Sequence, residues 1–128
     1  MPDAAAVAQE YNTVTVYLVV PDVARQIDFL TRAFGAVERG RVPRPDGSIM
    51  HAEVVMGDSI VMMGEPTAGT PVMPAAIFLR VPDADAAYRA ALDAGATSIS
   101  EPVDHPHGHR YGGVKDACGN LWWPATPT

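Results

Sequence analysis

From Tyr11 onward the chain alternates short apolar runs with clusters of turn-forming residues. Residues 13–20 (TVTVYLVV) are rich in β-branched and aromatic side chains and stop at Pro21, which predicts a largely buried strand. Asp22 then offers a side-chain oxygen to the orphan amides of a helix. In that helix Val23, Ile27, Leu30 and Phe34 recur at helical spacing, and Gly35 closes it. Three extended segments follow at 37–42, 49–56 and 59–63, separated by Arg-Pro-Asp-Gly-Ser at 44–48 and by Gly57-Asp58. The order is β-α-β-β-β.

Residues 64–74 (GEPTAGTPVMP) have no periodicity and read as a connector. Beyond them the pattern begins again. Residues 75–81 form a strand-like run ending at Pro82, and Asp83 caps a helix carrying Ala84, Ala87, Tyr88, Ala91 and Leu92 on one side, closed by Gly95. Extended stretches at 96–103, 109–115 and 121–125 complete it, the last two joined by a turn at Asp-Ala-Cys-Gly-Asn. Val-Pro-Asp at 20–22 recurs at 81–83, and Gly-Ala at 35–36 recurs at 95–96, so the chain carries one duplicated module of about sixty residues. The expected fold class is α+β. A single domain, 1–128, holds module 1 at about 11–64, a linker at 65–74 and module 2 at about 75–126. Two such modules side by side are expected to give a curved mixed sheet with helices on the convex face and a cavity on the concave face.

Charge and composition narrow the partners. With 128 residues, a net charge of −6 and nine scattered Lys and Arg, the surface repels phosphate backbones, so nucleic acid is not expected as a partner. No apolar run reaches the 18 residues a membrane span needs, and the opening MPDAAAVAQE lacks the basic region of a signal peptide. The single cysteine, Cys118, offers no disulfide framework, so a cytoplasmic protein is expected.

Tandem β-α-β-β-β modules, a strand ending in Val-Pro-Asp before each helix, and a terminal Gly-Asn-Leu-Trp resemble the glyoxalase, bleomycin-resistance and dioxygenase (vicinal oxygen chelate) superfamily. Ala-Phe-Gly-Ala at 33–36, Met-His-Ala-Glu at 50–53 and Arg-Tyr-Gly-Gly-Val-Lys-Asp at 110–116 are similar to its PhnB-like branch. The resemblance implies a homodimer, and in metal-dependent members a divalent ion held by His, Gln or Glu from the first and last strands of each module. The matching positions here are Thr15, Val61, Ala76 and Trp123, with Met62 the neighbour of Val61 if the register slips by one. Methyl, indole and aliphatic groups supply no donors for such an ion, so no cofactor is expected at the usual place. A divalent metal would need a different register or the loop histidines.

Candidate chemistry remains elsewhere. Trp122 and Trp123 point to opposite faces of their strand. The resemblance implies that Trp122 is the helix-side core residue and that Trp123 faces the cavity, where Tyr17 and Phe78, sharing the parity of Thr15 and Ala76, would join it as a stacking surface. Thr15, Glu53, Val61, Met63 and Ala76 complete the expected ligand contacts. His51 shares a strand face with Glu53 and is a candidate general base near neutral pH, with Arg110 and Tyr111 as candidate substrate anchors in a catalytic set. Structurally, Arg110 could equally pair with Asp104 or Asp116. His105, His107 and His109 alternate, but Pro106 and Gly108 between them point to an irregular, solvated loop. Cys118, in a turn with no evident base, reads as having no catalytic role. The leading expectation is a small-molecule-binding protein that stacks an organic ligand. A lyase or isomerase acting on a small oxygenated substrate is the alternative, and a metal-dependent glyoxalase or dioxygenase follows only from a misread register.

Overall fold

The computed structural model describes residues 11–128; the opening segment that was read for a signal peptide lies outside them. Ten elements follow in chain order: β1 (Val16–Val19), α1 (Val23–Phe34), β2 (Val37–Pro43), β3 (Ile49–Met56), β4 (Ser59–Gly64), β5 (Ala76–Arg80), α2 (Ala84–Asp93), β6 (Thr97–His105), β7 (His109–Lys115) and β8 (Leu121–Pro127). The α+β class and the tandem β-α-β-β-β order are those expected from the sequence. β1 is shorter than its apolar run, because the Thr15 hydroxyl donates to the carbonyl of Asn12 at 3.2 Å and turns the chain before it extends. By contact density the described residues form two compact units, 11–31 with 35–73 and 32–34 with 74–128.

In the first unit the strand order is β1-β4-β3-β2, with β1 parallel to β4 and the other pairs antiparallel. One face of this sheet carries Leu18, Ala52, Val54 and Met63, all wholly buried. The amphipathic spacing of α1 is matched by burial of Val23, Ile27 and Leu30. Asp22 caps its start by accepting from the Arg25 amide at 3.1 Å. Glu65 adds a second cap, one carboxylate oxygen accepting from the Val23 amide at 2.8 Å and the other from the Ile49 amide at 2.9 Å. Gly35 ends the helix at φ 71°, a conformation that suits glycine.

The second unit repeats the design with order β5-β8-β7-β6 and β5 parallel to β8. Asp83 accepts from the Ala86 amide at 3.0 Å, and Thr126 accepts from the Ala84 amide at 2.8 Å. The duplication therefore extends to the caps: Asp22 and Glu65 in the first unit have their counterparts 61 residues on, at Asp83 and Thr126. Tyr88 of α2 reaches Ser98 at 2.5 Å, and Ser98 pairs with Val114, so α2 lies over the face that bears Val114 and Trp122. The α1 residue Phe34, which clusters with this unit, sets its ring 5.5 Å from that of Trp122.

Asp116 fixes the last hairpin. It is 4% exposed, and it accepts from the Trp122 indole Nε1 at 2.8 Å and from the Cys118 and Asn120 amides at 2.9 Å each. Asn120 in turn accepts from the Ala75 amide at 2.9 Å, tying the turn to the chain entering β5. Asp-Ala-Cys-Gly-Asn is thus a turn anchored by two buried polar residues, Asp116 and Asn120, to which Cys118 contributes its amide. Asp116→Ala would leave three donors without this acceptor, and bonds to a charged group contribute about 1.5–3 kcal/mol each. A loss of about 3 kcal/mol or more in urea unfolding is expected; a loss below about 1 kcal/mol would show that the turn does not depend on it.

Candidate functional site

On the second sheet, strand alternation separates the two tryptophans as expected: Trp122 is wholly buried under α2, and Trp123 turns to the other face and is partly exposed. Phe78 pairs in register with Trp123 and is half exposed, while Ala76 lies two residues before Phe78 on the same face. From β7, Tyr111 and His109 join them: the Phe78 ring meets Tyr111 at 5.6 Å and 80°, and His109 at 5.3 Å and 88°. Both contacts of Phe78 are edge-to-face, and its ring stays half exposed. Gly113 makes room for this surface, since a Cβ there would lie 2.8 Å from the Trp123 Nε1 atom. The Gly-Gly pair of the Arg-Tyr-Gly-Gly motif is steric, because a Cβ on Gly112 would lie 2.7 Å from the carbonyl oxygen of Ser100.

The histidines are more ordered than an irregular loop. β6 runs to His105, which pairs directly with His109 across a three-residue turn, because Gly108 at φ 95° supplies the left-handed residue that closes it. His105 stacks on Tyr111 at 3.7 Å and 10°. Arg110 points to the opposite face from Tyr111. Its guanidinium binds both oxygens of Asp85 on α2, at 2.9 and 3.1 Å, and Asp104 at 3.2 Å. These hydrogen bonds, to Asp85 first, raise its already high pKa and lower that of Asp85. The expected anchor is thus filled by the chain's own carboxylates, and of the two pairings read from sequence it makes the one with Asp104.

The first sheet corrects a register. Val61 and Met63 pair with Val54 and Ala52 and are buried with them, whereas Met62 pairs with both Tyr17 and Glu53 on the opposite face. Val61 and Met63 are core residues here, and Met62 takes the place expected of Val61. The duplication carries the signal: Met62 stands 61 residues before Trp123, as Tyr17 stands 61 before Phe78. Tyr17 crosses its own sheet above Gly64, where a Cβ would meet its hydroxyl at 2.6 Å, and that hydroxyl lies 3.5 Å from the Met50 carbonyl.

His51 and Glu53 come together on this face, with His51 Nε2 at 2.8 Å from Glu53 Oε2. Two residues not singled out in the sequence complete the cluster. The Tyr11 hydroxyl donates to the same oxygen at 2.6 Å, and Arg39 Nη1 lies 2.9 Å from Oε1 as an ion pair without an aligned hydrogen bond. Arg39 reaches Glu53 from a break in register between Glu38 and Gly40, an irregularity that strand periodicity does not signal.

The four chelating positions of the family do not fit a divalent ion. Thr15 spends its hydroxyl on Asn12, Val61 is buried in the core, Ala76 has a methyl group and Trp123 an indole, and substituting Met62 for Val61 adds only a thioether. Among the described residues no group of three or more His, Cys, Asp or Glu is placed to hold a metal ion.

Burial alone would raise the Glu53 carboxyl, but hydrogen bonds from Tyr11 and His51 and the charge of Arg39 outweigh it and hold the pKa below the usual value. A carboxyl depressed in the folded state stabilises the fold above the ordinary carboxylate range, and that contribution is lost as pH falls through the depressed value. Glu53→Gln is expected to cost about 1–3 kcal/mol near neutral pH. The gap to the parent protein should close in acid when urea midpoints are compared across pH, and a gap independent of pH would contradict the assignment.

The comparisons with known proteins agree with this architecture. The family model described as the Glyoxalase/Bleomycin resistance protein/Dioxygenase superfamily matches residues 11–123. An uncharacterised protein of Mycobacterium bovis is 42% identical, with 83% of this chain and 77% of that protein covered. Among solved structures, TioX from Micromonospora sp. ML1 is similar at TM-score 0.76 and 28% identity, covering 91% of this chain and 99% of its own. TnmS3 from Streptomyces sp. CB03234, described as an antibiotic binding protein, shares the fold at TM-score 0.73 and 20% identity, covering 93% and 98%. With the duplicated modules, their caps and the terminal Gly-Asn-Leu-Trp strand in place, the chain belongs to the glyoxalase/bleomycin resistance protein/dioxygenase superfamily.

Proposed function

We propose that this chain is a small-molecule-binding member of the family, of its PhnB-like branch. In this reading it holds a planar organic ligand against Phe78, Tyr111 and Trp123 and uses no metal ion at Thr15, Met62, Ala76 and Trp123. The observation that carries the reading is a substitution of chemistry: where metal-dependent relatives would place a chelating side chain, Trp123 presents an indole beside a half-exposed Phe78. Phe78, edge-to-face with Tyr111 and His109 and half exposed, offers a flat ligand ring surface to contact, while Tyr111 is held in place by His105 stacked on it. The net charge of −6 favours a cationic or neutral ligand over an anion. The antibiotic-binding description of TnmS3, which shares the fold, supports binding without turnover as a role this architecture can serve.

A second copy of the chain is the proposed protein partner. Val37 and Val42 on β2 and Ile99 and Val103 on β6 expose apolar side chains on the outer strand of each sheet. A cytoplasmic setting goes with the single Cys118. The experiment is a thermal-shift titration with cationic planar aromatics such as proflavine, on protein whose dimer mass is first read by light scattering. The parent protein should be stabilised by about 2.7 kcal/mol at a hundredfold excess over Kd. Phe78→Ala and Trp123→Ala should each weaken binding about tenfold, or ~1.4 kcal/mol. Unchanged affinity in both variants, or no stabilisation by any planar compound, would refute the reading.

A further inference from the structure

The aromatic face does not use the cluster on the first sheet, and that cluster has the geometry of a proton-transfer site. We propose that His51 is a general base acting through Nδ1, with Glu53 as its positioning residue. Its substrate would be a small organic molecule carrying a C–H bond acidified by an adjacent carbonyl or electron-poor ring. Since an ionised carboxylate has no proton to give, the 2.8 Å contact requires His51 Nε2 to be the donor and Glu53 Oε2 the acceptor. That fixes the tautomer and leaves the lone pair on Nδ1, for which the described residues provide no hydrogen-bond partner.

The carboxylate is itself held from two other sides, by Tyr11 at 2.6 Å and Arg39 at 2.9 Å, so its side chain is only 12% exposed. The His51 side chain is 31% exposed, and Tyr17 stands with its ring centroid 6.1 Å away as a wall. The base is therefore oriented from behind and accessible in front, an arrangement that general-base catalysis requires. The fold does not need an ionisable pair at this place. Strand pairing makes Tyr111 and Gly113 the counterparts of His51 and Glu53 in the second sheet, which forms the same ladder without the dyad.

In the step proposed, Nδ1 takes the proton and the C–H electron pair moves into the acidifying group, leaving an imidazolium facing the Glu53 carboxylate. The proton then returns to a different atom of the same molecule, or the electron pair expels a leaving group. The overall change is an isomerisation or an elimination, with no oxidant and no second reactant.

The test uses 5-nitrobenzisoxazole, a flat uncharged probe whose ring opens when a base removes its one acidic C–H. The electron pair becomes part of a nitrile, the N–O bond breaks and a coloured phenolate is released. The parent protein should accelerate this opening about tenfold or more over buffer. His51→Ala should abolish the acceleration, and His107→Ala, which alters a surface histidine elsewhere, should retain it. Glu53→Gln should keep His51 but slow the reaction and displace its pH profile, which a purely structural role would not do. Long-range ¹H–¹⁵N spectra of the parent protein should show His51 protonated at Nε2 whether or not the probe reacts. Equal rates for the parent protein and His51→Ala, or a His51 protonated at Nδ1, would overturn the proposal. The two readings have separate readouts: the stacking reading is tested by proflavine binding in Phe78→Ala and Trp123→Ala, and the general-base reading by probe opening in His51→Ala, so failure of either leaves the other standing.

Discussion

The hydrogen bond from the Trp122 indole to Asp116 sets the parity of the last strand. A buried carboxylate that accepts one indole N–H and two turn amides cannot be relocated by a residue without leaving all of them unpaired. Side chains alternate along a strand, so placing Trp122 under the helix obliges Trp123 to stand on the opposite face. A slip of one residue would bring Trp123 into the core and remove the aromatic surface. Gly113 opposite follows from the same parity, since only a residue without a Cβ there leaves space for the outward indole.

The two modules share scaffolding and differ in chemistry. Caps, helix ends and strand pairing repeat at a spacing of 61 residues or close to it, and these are the features that satisfy backbone groups in any copy of the module. The outward-facing positions are under no such obligation. In the first sheet they carry Tyr17, Met62, His51 and Glu53; in the second they carry Phe78, Trp123, Tyr111 and Gly113. One face carries a hydrogen-bonded His–Glu pair, and the other carries Phe78 and Trp123 with the rings of Tyr111 and His109. This division is the physical basis for assigning proton transfer to one and ligand stacking to the other.

The element order was legible in the sequence because its signals are local: Pro21 and Pro82 end strands, Asp22 and Asp83 cap helices, and glycines close them. That the two tryptophans face opposite ways was legible for the same reason, as was the His51–Glu53 pair at a spacing of two, whereas which tryptophan turns inward came from the family resemblance. Three features were not. The shift from Val61 to Met62 depends on which residue β1 pairs with, a non-local choice, although the 61-residue offset from Trp123 contains the answer. Arg39 and Tyr11 reach Glu53 through a bulge and a chain entry that no periodicity marks. The partnership of Arg110 with Asp85 joins a strand to a helix 25 residues away, and composition could only suggest that some carboxylate would fill it.

The central claim is that Trp123, and not Trp122, faces a ligand. Each tryptophan has one indole N–H, so a ¹H–¹⁵N spectrum of the protein holds two such signals, assignable with a Trp123→Phe variant. During titration with proflavine the Trp123 signal should move progressively, while the Trp122 signal, buried and bonded to Asp116, stays in place. A ligand that moves Trp122 and leaves Trp123 unchanged, or one that binds without moving either, would contradict this account.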